Sequence, residues 1–110
     1  MENCIFCKIA NKEIKSDFIY EDKDFFIIKD AHPKARYHFL AIPKKHYGLL
    51  AEATTDDAKV LGRILFTIPK LSKELHLEGG YRLVVNQGEN GGQAIPHLHI
   101  HILSGEKLRV

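Results

Sequence analysis

Apolar and polar residues alternate along several short segments of this chain, and this pattern predicts β-strands. Successive side chains on a strand point to opposite faces, so an alternating segment has one apolar face. The clearest example is residues 97–103, where three apolar residues alternate with three histidines. We predict a strand here that buries its apolar face and carries His97, His99 and His101 together on the other.

Four further segments are rich in β-branched and aromatic residues and end at turn-forming residues or prolines. They are residues 19–22, 25–29, 38–42 and 81–86. The first three follow one another closely enough to form a meander. Together with the histidine segment they predict five strands.

A helical period replaces the alternation in the middle of the chain. Apolar residues recur there at steps of three and four, which predicts one buried stripe on a helix from Thr54 to about Leu77. Thr54 suits the N-terminal cap, and Pro69 should kink the helix. The predicted stripe consists of Val60, Leu61, Ile64, Leu65, Ile68 and Leu71.

The order of the elements predicts the fold class. Residues 4–9 predict a short N-terminal helix, followed by strands, the long helix and two more strands. Strands and helices that do not alternate as βαβ units are typical of an α+β fold with an antiparallel sheet. We therefore predict a five-stranded antiparallel sheet with one long and one short helix.

Length and composition narrow the class of protein. With 110 residues the chain has room for one domain, which we assign to residues 1–110. The hydrophobic fraction of 45% is typical of globular proteins, and a net charge of +2 provides no basic field for nucleic acid. No apolar run approaches the roughly 20 residues of a membrane span, and no signal segment is recognisable, so we expect a cytoplasmic protein.

Three histidines on one face of a strand indicate a functional site. Imidazole titrates near neutral pH, and three neighbouring cations would repel one another, so at least one ring should be neutral. A neutral ring can act as a nucleophile, a base or a metal ligand. The alternative is a solvent-facing edge strand, but serine, threonine or lysine would serve such a face equally well.

A glycine-rich loop directly precedes the histidines. Residues 85–94 contain three glycines, which allow close approach of the backbone, and successive N–H groups in such loops bind phosphate. The segment Asn90 to Gly92 is equally compatible with an ordinary hairpin turn. Its position beside the histidines favours a phosphate-binding loop next to a nucleophile.

These features together resemble the histidine-triad (HIT) family, whose motif is His-x-His-x-His followed by apolar residues. The resemblance covers nearly the whole chain, including residues 4–9, 30, 38–46, 80–86 and 91–93. It is closest to the Hint branch of purine nucleoside phosphoramidases, in a zinc-binding bacterial-type variant. It implies a HIT-like fold and a homodimer with one continuous sheet, held by the long helix and residues 81–86.

The resemblance implies a catalytic role for three histidines. His99, the middle residue of the motif, would attack the α-phosphorus of a nucleotidyl substrate, and water would hydrolyse the resulting nucleotidyl-imidazole. His101 would donate to phosphate oxygens or assist the leaving group. His38 would support the triad from the neighbouring strand; the alternative is a core histidine whose ring is satisfied by backbone.

The resemblance also implies the nucleotide contacts. Asp30 would accept hydrogen bonds from ribose hydroxyls, unless it only starts a turn, and Asn86 would contact phosphate or ribose, unless it only ends a strand. We expect His32 and His76 at the surface. The other predicted contacts, from the loop and the base pocket, are Gly92, Gln93, Ala94, Ile14, Ile28, Lys29 and Ala31.

Cys4 and Cys7 form a C-x-x-C pair, which in a cytosolic protein points to metal or redox chemistry rather than a structural disulfide. Tetrahedral zinc needs two further ligands. The resemblance implies that they are His46 and His97, in a closed structural site that leaves His99 free. The alternatives are a reduced pair packed as small hydrophobic residues and a redox pair, which lacks its usual βαβ context here.

One position departs from the Hint pattern. Hint enzymes usually have serine where this chain has Ala94, so the hydroxyl that helps to bind phosphate and protonate an amine leaving group is missing. Three functions remain open. They are a hydrolase of purine nucleoside phosphoramidates or related adenylates, a dinucleoside polyphosphate hydrolase, and a nucleotide-binding regulatory or partner-binding module with weak catalysis.

Overall fold

A five-stranded antiparallel sheet organises the computed structural model, which describes residues 3–109. The strands are β1 (Phe18–Glu21), β2 (Phe25–Lys29), β3 (Tyr37–Pro43), β4 (Tyr81–Val84) and β5 (Ile100–Ser104). Their order across the sheet is β1-β2-β3-β5-β4, so the first three form the predicted meander. The predicted domain also includes residues 1, 2 and 110, which lie outside the described residues.

The helices are α1 (Ile5–Ala10), α2 (Thr55–Thr67) and α3 (Ser72–Leu75). Thr54 caps α2 as predicted, because its hydroxyl accepts the N–H of Asp57 and its own N–H donates to the Asp57 carboxylate. The helical segment ends at Leu75, close to the predicted end near Leu77, but it is divided at the predicted kink. Pro69 cannot donate the next helical hydrogen bond, and a 3₁₀ turn over Ile68–Leu71 separates α2 from α3.

The two faces of the sheet bury different cores, which explains why residues 25–28 of β2 and 39–43 of β3 are apolar without a break. One core lies between the sheet and the α2–α3 segment, and it contains Phe25, Ile27, Phe39, Ala41, Ile64, Ile68, Leu75, Leu77, Ile100 and Ile102. The other lies under α1, and it contains Phe6, Ile9, Phe26, Ile28, Leu40 and Ile42. The functional residues described below lie on the α1 side.

The histidine strand begins later than predicted. β5 starts at Ile100, because the preceding backbone N–H groups bond outside the sheet ladder: His97 donates to the carbonyl of Ile95 and Leu98 to that of Tyr47. The alternation of side chains nevertheless continues through this extended segment. Leu98 is fully buried, and the rings of His97 and His99 both pack against Phe6 of α1.

Leu65 is exposed, contrary to the predicted stripe. It is 49% exposed on α2, next to Phe66, which is 65% exposed. Both residues are apolar, and β4 at the edge of the sheet pairs only with β5.

Among residues 3–109, no helix has the length and apolar character needed to cross a membrane.

Candidate active site and metal centre

The ring of His99 is held with one nitrogen available for chemistry. Its Nδ1 lies 2.7 Å from the backbone carbonyl oxygen of His97. Since a carbonyl only accepts, Nδ1 carries the proton and Nε2 keeps a lone pair in the neutral ring. The ring of His101 packs against the ring of His99 at a centroid distance of 4.9 Å.

A chain of hydrogen bonds determines the tautomers of His38 and His101. The backbone N–H of Lys34 donates to Nδ1 of His38 at 3.0 Å, which places the proton of the neutral His38 ring on Nε2. That Nε2 donates to Nδ1 of His101 at 2.9 Å. His101 therefore has its own proton on Nε2. His38 is buried, and its Nδ1 accepts a hydrogen bond from backbone, but its Nε2 binds the ring of His101.

Burial keeps both of these rings neutral. Desolvation, together with the neighbouring His99 and His38, lowers the pKa of His101 to about 4. Desolvation also lowers the pKa of His38, although the Asp30 carboxylate opposes this effect. At neutral pH the rings of His38 and His101 are therefore uncharged, and each can donate one N–H.

Asp30 and Asn86 lie on either side of these histidines. Oδ1 of Asp30 accepts the N–H of His32 at 2.8 Å, so Asp30 does start a turn, while its Oδ2 lies 3.4 Å from Nε2 of His38. Nδ2 of Asn86 lies 3.4 Å from Nε2 of His101. Both of these nitrogens are donors, so they form a poor bond to each other but are well placed to share one anionic oxygen.

Most of the predicted nucleotide contacts line one cleft of about 690 Å³ on the α1 side of the sheet. Those residues are His38, His99, His101, Asp30, Asn86, Gly92, Ala94, Ile28, Lys29 and Ala31. Ile14 does not line the cleft; it is 38% exposed in the segment after α1. Gln93 does not line it either, because its amide bonds the carbonyl of Gly48 and the N–H of Gly88.

The glycine-rich loop is a tight turn in which several amides are used internally. The N–H groups of Gly92 and Gln93 donate to the carbonyls of Glu89 and Gly88, both at 3.0 Å. A Cβ at Gly91 would lie 2.3 Å from the carbonyl oxygen of Gln87, so only glycine fits there. The loop therefore shapes the wall of the cleft rather than presenting a row of free N–H groups at residues 92 and 93.

Sequence reasoning missed several residues of the cleft. Phe6 and Ile9 form an apolar wall, and their spacing of three residues on α1 was a usable signal. Lys34 and His32 come from the loop between β2 and β3, where the sequence has no periodicity to place them. The other residues that were missed are Ile5, Ser16, Leu40, Val84, Ile95 and Leu103.

The four predicted metal ligands lie together at the start of α1. Nδ1 of His97 is 3.3 Å from Sγ of Cys4, 3.6 Å from Sγ of Cys7 and 3.1 Å from Nδ1 of His46. Sγ of Cys7 is 3.3 Å from Nδ1 of His46. Both cysteines are free thiols, so the pair is not a disulfide.

This donor set fits zinc. With Zn–S near 2.3 Å and Zn–N near 2.0 Å, the ligand atoms of a tetrahedral site are roughly 3.3–3.8 Å apart. The His97 ring is fully buried, and its Nε2 donates to the carbonyl of Pro43 at 2.7 Å. This bond leaves Nδ1 as the lone-pair nitrogen facing the other three ligands, as a metal-binding histidine requires.

Comparisons with known proteins agree with the fold and the motif. The family model described as "Scavenger mRNA decapping enzyme C-term binding" matches residues 3–108. Protein HitA of Neisseria gonorrhoeae is 44% identical over 103 residues, which are 94% of this chain and 96% of that protein. A histidine triad protein of Clostridium difficile has a TM-score of 0.92 at 42% identity, over 100% of this chain and 96% of the other.

Two further solved structures are relevant to the chemistry. A HIT family hydrolase of Legionella pneumophila has a TM-score of 0.90 at 42% identity and covers 97% of this chain and 96% of its own. A Zn-bound histidine triad family protein of Mycobacterium smegmatis has a TM-score of 0.80 at 30% identity, over 93% of this chain and 74% of the other. The chain belongs to the histidine-triad family.

Proposed function

We propose that this protein is a nucleotide-binding hydrolase that cleaves at the α-phosphate of purine nucleoside phosphoramidates or related adenylates. The proposal rests on one observation above all: the bond from Nδ1 of His99 to the His97 carbonyl leaves Nε2 as an oriented nucleophile inside a cleft. The similar hydrolase from Legionella pneumophila supports the same reaction class.

In the first step Nε2 of His99 attacks the α-phosphorus. A bond forms between nitrogen and phosphorus, and the bond from phosphorus to the leaving group breaks with its electron pair going to the leaving atom. Nε2–H of His101 is the nearest positioned proton donor, so it would stabilise the phosphoryl oxygens or protonate the leaving group. Asn86 would share the same phosphoryl oxygen.

In the second step water attacks the nucleotidyl-imidazole. Its oxygen bonds to phosphorus, and the bond from phosphorus to Nε2 of His99 breaks with its electron pair returning to the ring. The proton that water loses replaces the one that His101 gave to the leaving group, or passes to solvent where His101 gave none, and the nucleoside monophosphate leaves with both histidines neutral. The apolar wall of Phe6, Ile9 and Ile28 would hold a purine, and the carboxylate of Asp30 would accept ribose hydroxyls. Lys29 and Ala31 border the same pocket.

The proposal includes a structural zinc ion held by Cys4, Cys7, His46 and His97. When bound, the metal would supply a cross-link between the start of α1 and the segment that leads into β5. Its effect on the reaction would be indirect. The carbonyl that positions His99 belongs to His97, so fixing the His97 ring would also fix the orientation of the nucleophile.

We also propose a homodimer. The partner that fits the exposed apolar side chains of Leu65 and Phe66 is a second copy of the chain, because the edge strand β4 lies open for pairing and its Tyr81 is also exposed. Two copies joined at β4 would form the continuous sheet that the family resemblance implies.

A substrate panel tests the proposed function. Wild-type protein and His99→Ala are incubated with adenosine phosphoramidate and with diadenosine tetraphosphate, and release of AMP is followed. The proposal expects AMP from the wild type and none above background from the variant. Binding of AMP without turnover of either substrate would instead favour the nucleotide-binding module, for which the missing hydroxyl at Ala94 is the specific argument.

A further inference from the structure

Asn86 follows the end of β4, so the sheet ladder alone does not hold it in place. The last pair of the β4–β5 ladder joins Val84 to His101, and Asn86 lies two residues further along the chain. Its Nδ2 is 3.4 Å from Nε2 of His101, where the two donors can share one anionic oxygen. Because a misplacement of about 1 Å in an active site can cost much of the rate, Asn86 needs a support outside the ladder.

The side-chain amide of Gln87 connects the backbone of Asn86 to a distant part of the chain. Its Nε2 donates to the carbonyl of Asn86 at 3.1 Å. Its Oε1 accepts the N–H of Leu50 at 2.7 Å, and the two residues are 37 positions apart in the sequence. One bond needs a donor and the other an acceptor, so an amide side chain satisfies both.

Leu50 belongs to a short turn that is itself well held. The turn is a 3₁₀ helix over Leu50–Glu52, and Oε1 of Glu52 accepts the N–H groups of Gly48 and Leu49, both at 3.0 Å. These two backbone bonds lower the pKa of Glu52, so its carboxylate stays ionised at neutral pH. Gln87 therefore ties the end of β4 to an ordered anchor.

Gln93 makes a second connection between the same two segments. Its Nε2 donates to the carbonyl of Gly48 at 2.8 Å, and its Oε1 accepts the N–H of Gly88 at 2.9 Å. This connection holds the backbone of the glycine-rich loop one residue beyond Gln87. The two glutamines have different tasks, because Gln93 supports the loop while Gln87 bonds Asn86.

We infer that Gln87 is a positioning residue, which holds Asn86 so that its side chain and His101 donate to the same phosphoryl oxygen. This inference rests on the proposed function, in which Asn86 shares that oxygen. Gln87 is not among the described residues that line the cleft, so it acts through Asn86. Its contribution should therefore depend on the phosphate of a bound nucleotide and not on the nucleoside.

Two variants break the connection from its opposite ends. Gln87→Met keeps a side chain of similar length but has no amide, and Leu50→Pro removes the N–H that Gln87 accepts. Proline suits the first residue of a 3₁₀ turn that follows an extended residue, and Leu49 is extended, so the second variant should fold even if the first does not. Asn90→Ala is the control, because it removes an amide from the same loop at an exposed position outside the cleft.

The readout is the preference of the protein for AMP over adenosine, measured by calorimetry as a ratio of Kd values. Gln87→Met and Leu50→Pro should each weaken AMP binding about fivefold, which is the loss of one hydrogen bond, and leave adenosine within about twofold. A merely structural role would weaken both ligands alike. The control should bind both ligands as the wild type does.

A double-mutant cycle shows whether Gln87 acts through Asn86. Asn86→Ala should weaken AMP binding at least as much as Gln87→Met, and combining the two should add less than about twofold. The kcat/KM for adenosine phosphoramidate should follow the same pattern. If the wild type turns over no substrate, the proposed hydrolase fails, and the binding data alone decide on Gln87.

Four results would overturn the inference. They are an unchanged preference for AMP in Gln87→Met and Leu50→Pro, an equal loss in Asn90→Ala, additive losses from the substitutions of Gln87 and Asn86, and a wild type that binds AMP no better than adenosine.

Discussion

His38 donates a hydrogen bond from Nε2 to Nδ1 of His101 across 2.9 Å, and the direction of this bond is set by a backbone group. The N–H of Lys34 occupies Nδ1 of His38, so the neutral His38 ring has only one arrangement of its proton. As a result His101 presents Nε2–H to the cleft. A loop with no recognisable motif thereby determines which atom of His101 can donate.

His38 should act as a positioning residue for His101. We expect His38→Phe to lower kcat by about tenfold or more with little change in KM, because the ring of His101 loses the bond that orients its proton donor. His38→Gln retains an amide donor and should recover part of the loss. Steady-state kinetics of both folded variants provide the check, and equal losses in both, or a loss only in KM, would contradict this role.

His99 should be required for turnover but not for binding. We expect His99→Ala to reduce kcat/KM by ~10³-fold or more, because no other lone-pair nitrogen occupies its place, while AMP affinity changes only a few-fold. Kinetics and calorimetry on the same preparation measure the two quantities. His76→Ala is a suitable control, since His76 is exposed and lies outside the cleft. Residual turnover close to that of the control would argue against a histidine nucleophile.

The neutral histidines should make the fold sensitive to acid. Because the pKa of His101 is about 4 in the folded protein and near 6.5 in the unfolded chain, the unfolded state takes up protons first as the pH falls. The stability that depends on the neutral ring is complete above pH 6.5 and should be lost progressively down to pH 4. Since the ring is only half-buried, solvent screening limits the loss to about 1–2 kcal/mol.

Denaturant unfolding of the wild type and of His101→Asn at several pH values measures this effect. The variant cannot titrate at this position, so its stability should fall less steeply over the same range. Parallel pH profiles for the two proteins would show that His101 is not the group responsible.

Zinc removal should loosen the segment that holds His99. We expect wild-type protein purified without chelator to contain one zinc ion per chain, and Cys7→Ser to lose it and to have a lower Tm. Burial and the neighbouring Cys4 raise the pKa of the Cys7 thiol to about 11 in the metal-free protein, so zinc must displace protons and should bind more weakly at lower pH. Metal analysis and thermal unfolding test the zinc content and its effect on Tm. Zinc added back after chelation is the control. Protein with two free thiols and almost no zinc would contradict it.

The exposed apolar surface of α2 should hold two chains together. Phe66→Asp is expected to produce a monomer at micromolar concentration, because it places a charge in the proposed interface. Ile14→Asp introduces the same charge at another exposed apolar residue, outside α2 and β4, and should leave the dimer intact. Sedimentation velocity distinguishes the two states, and a monomeric wild type would contradict the proposed dimer.

The apolar pattern predicted five strands in an antiparallel sheet, but not the position of β5 between β3 and β4. Residues 25–28 and 39–43 are apolar without interruption because each of these segments buries both faces, and the histidine segment alternates because only one of its faces lies in the core under the α2–α3 segment. The start of β5 could not be predicted, because it depends on two hydrogen bonds outside the sheet. The N–H of His97 donates to a carbonyl in a local turn, and the N–H of Leu98 donates to a carbonyl far away in the sequence. Local pattern carries no information about such partners.

The helix and the site also combine features that the sequence predicts with features that it does not. Pro69 signalled a break, but periodicity could not reveal that Leu65 and Phe66 stay uncovered in a single chain. His97, His99 and His101 were accessible through their spacing, and Cys4 and Cys7 through the C-x-x-C motif. The two histidine ligands followed only from the family resemblance. Val84 in the cleft was not accessible from the sequence, because only the register that pairs it with His101 brings it to the same face of the sheet.

The most direct test of the proposed mechanism is to identify the covalent intermediate. Wild-type protein turning over adenosine phosphoramidate is quenched in base, under which a phosphorus–nitrogen bond to histidine persists, and its peptides are mapped by mass spectrometry. One AMP adduct is expected, on the peptide that contains His99 and at that residue. An adduct on His101 or elsewhere, or steady turnover without any adduct, would contradict it.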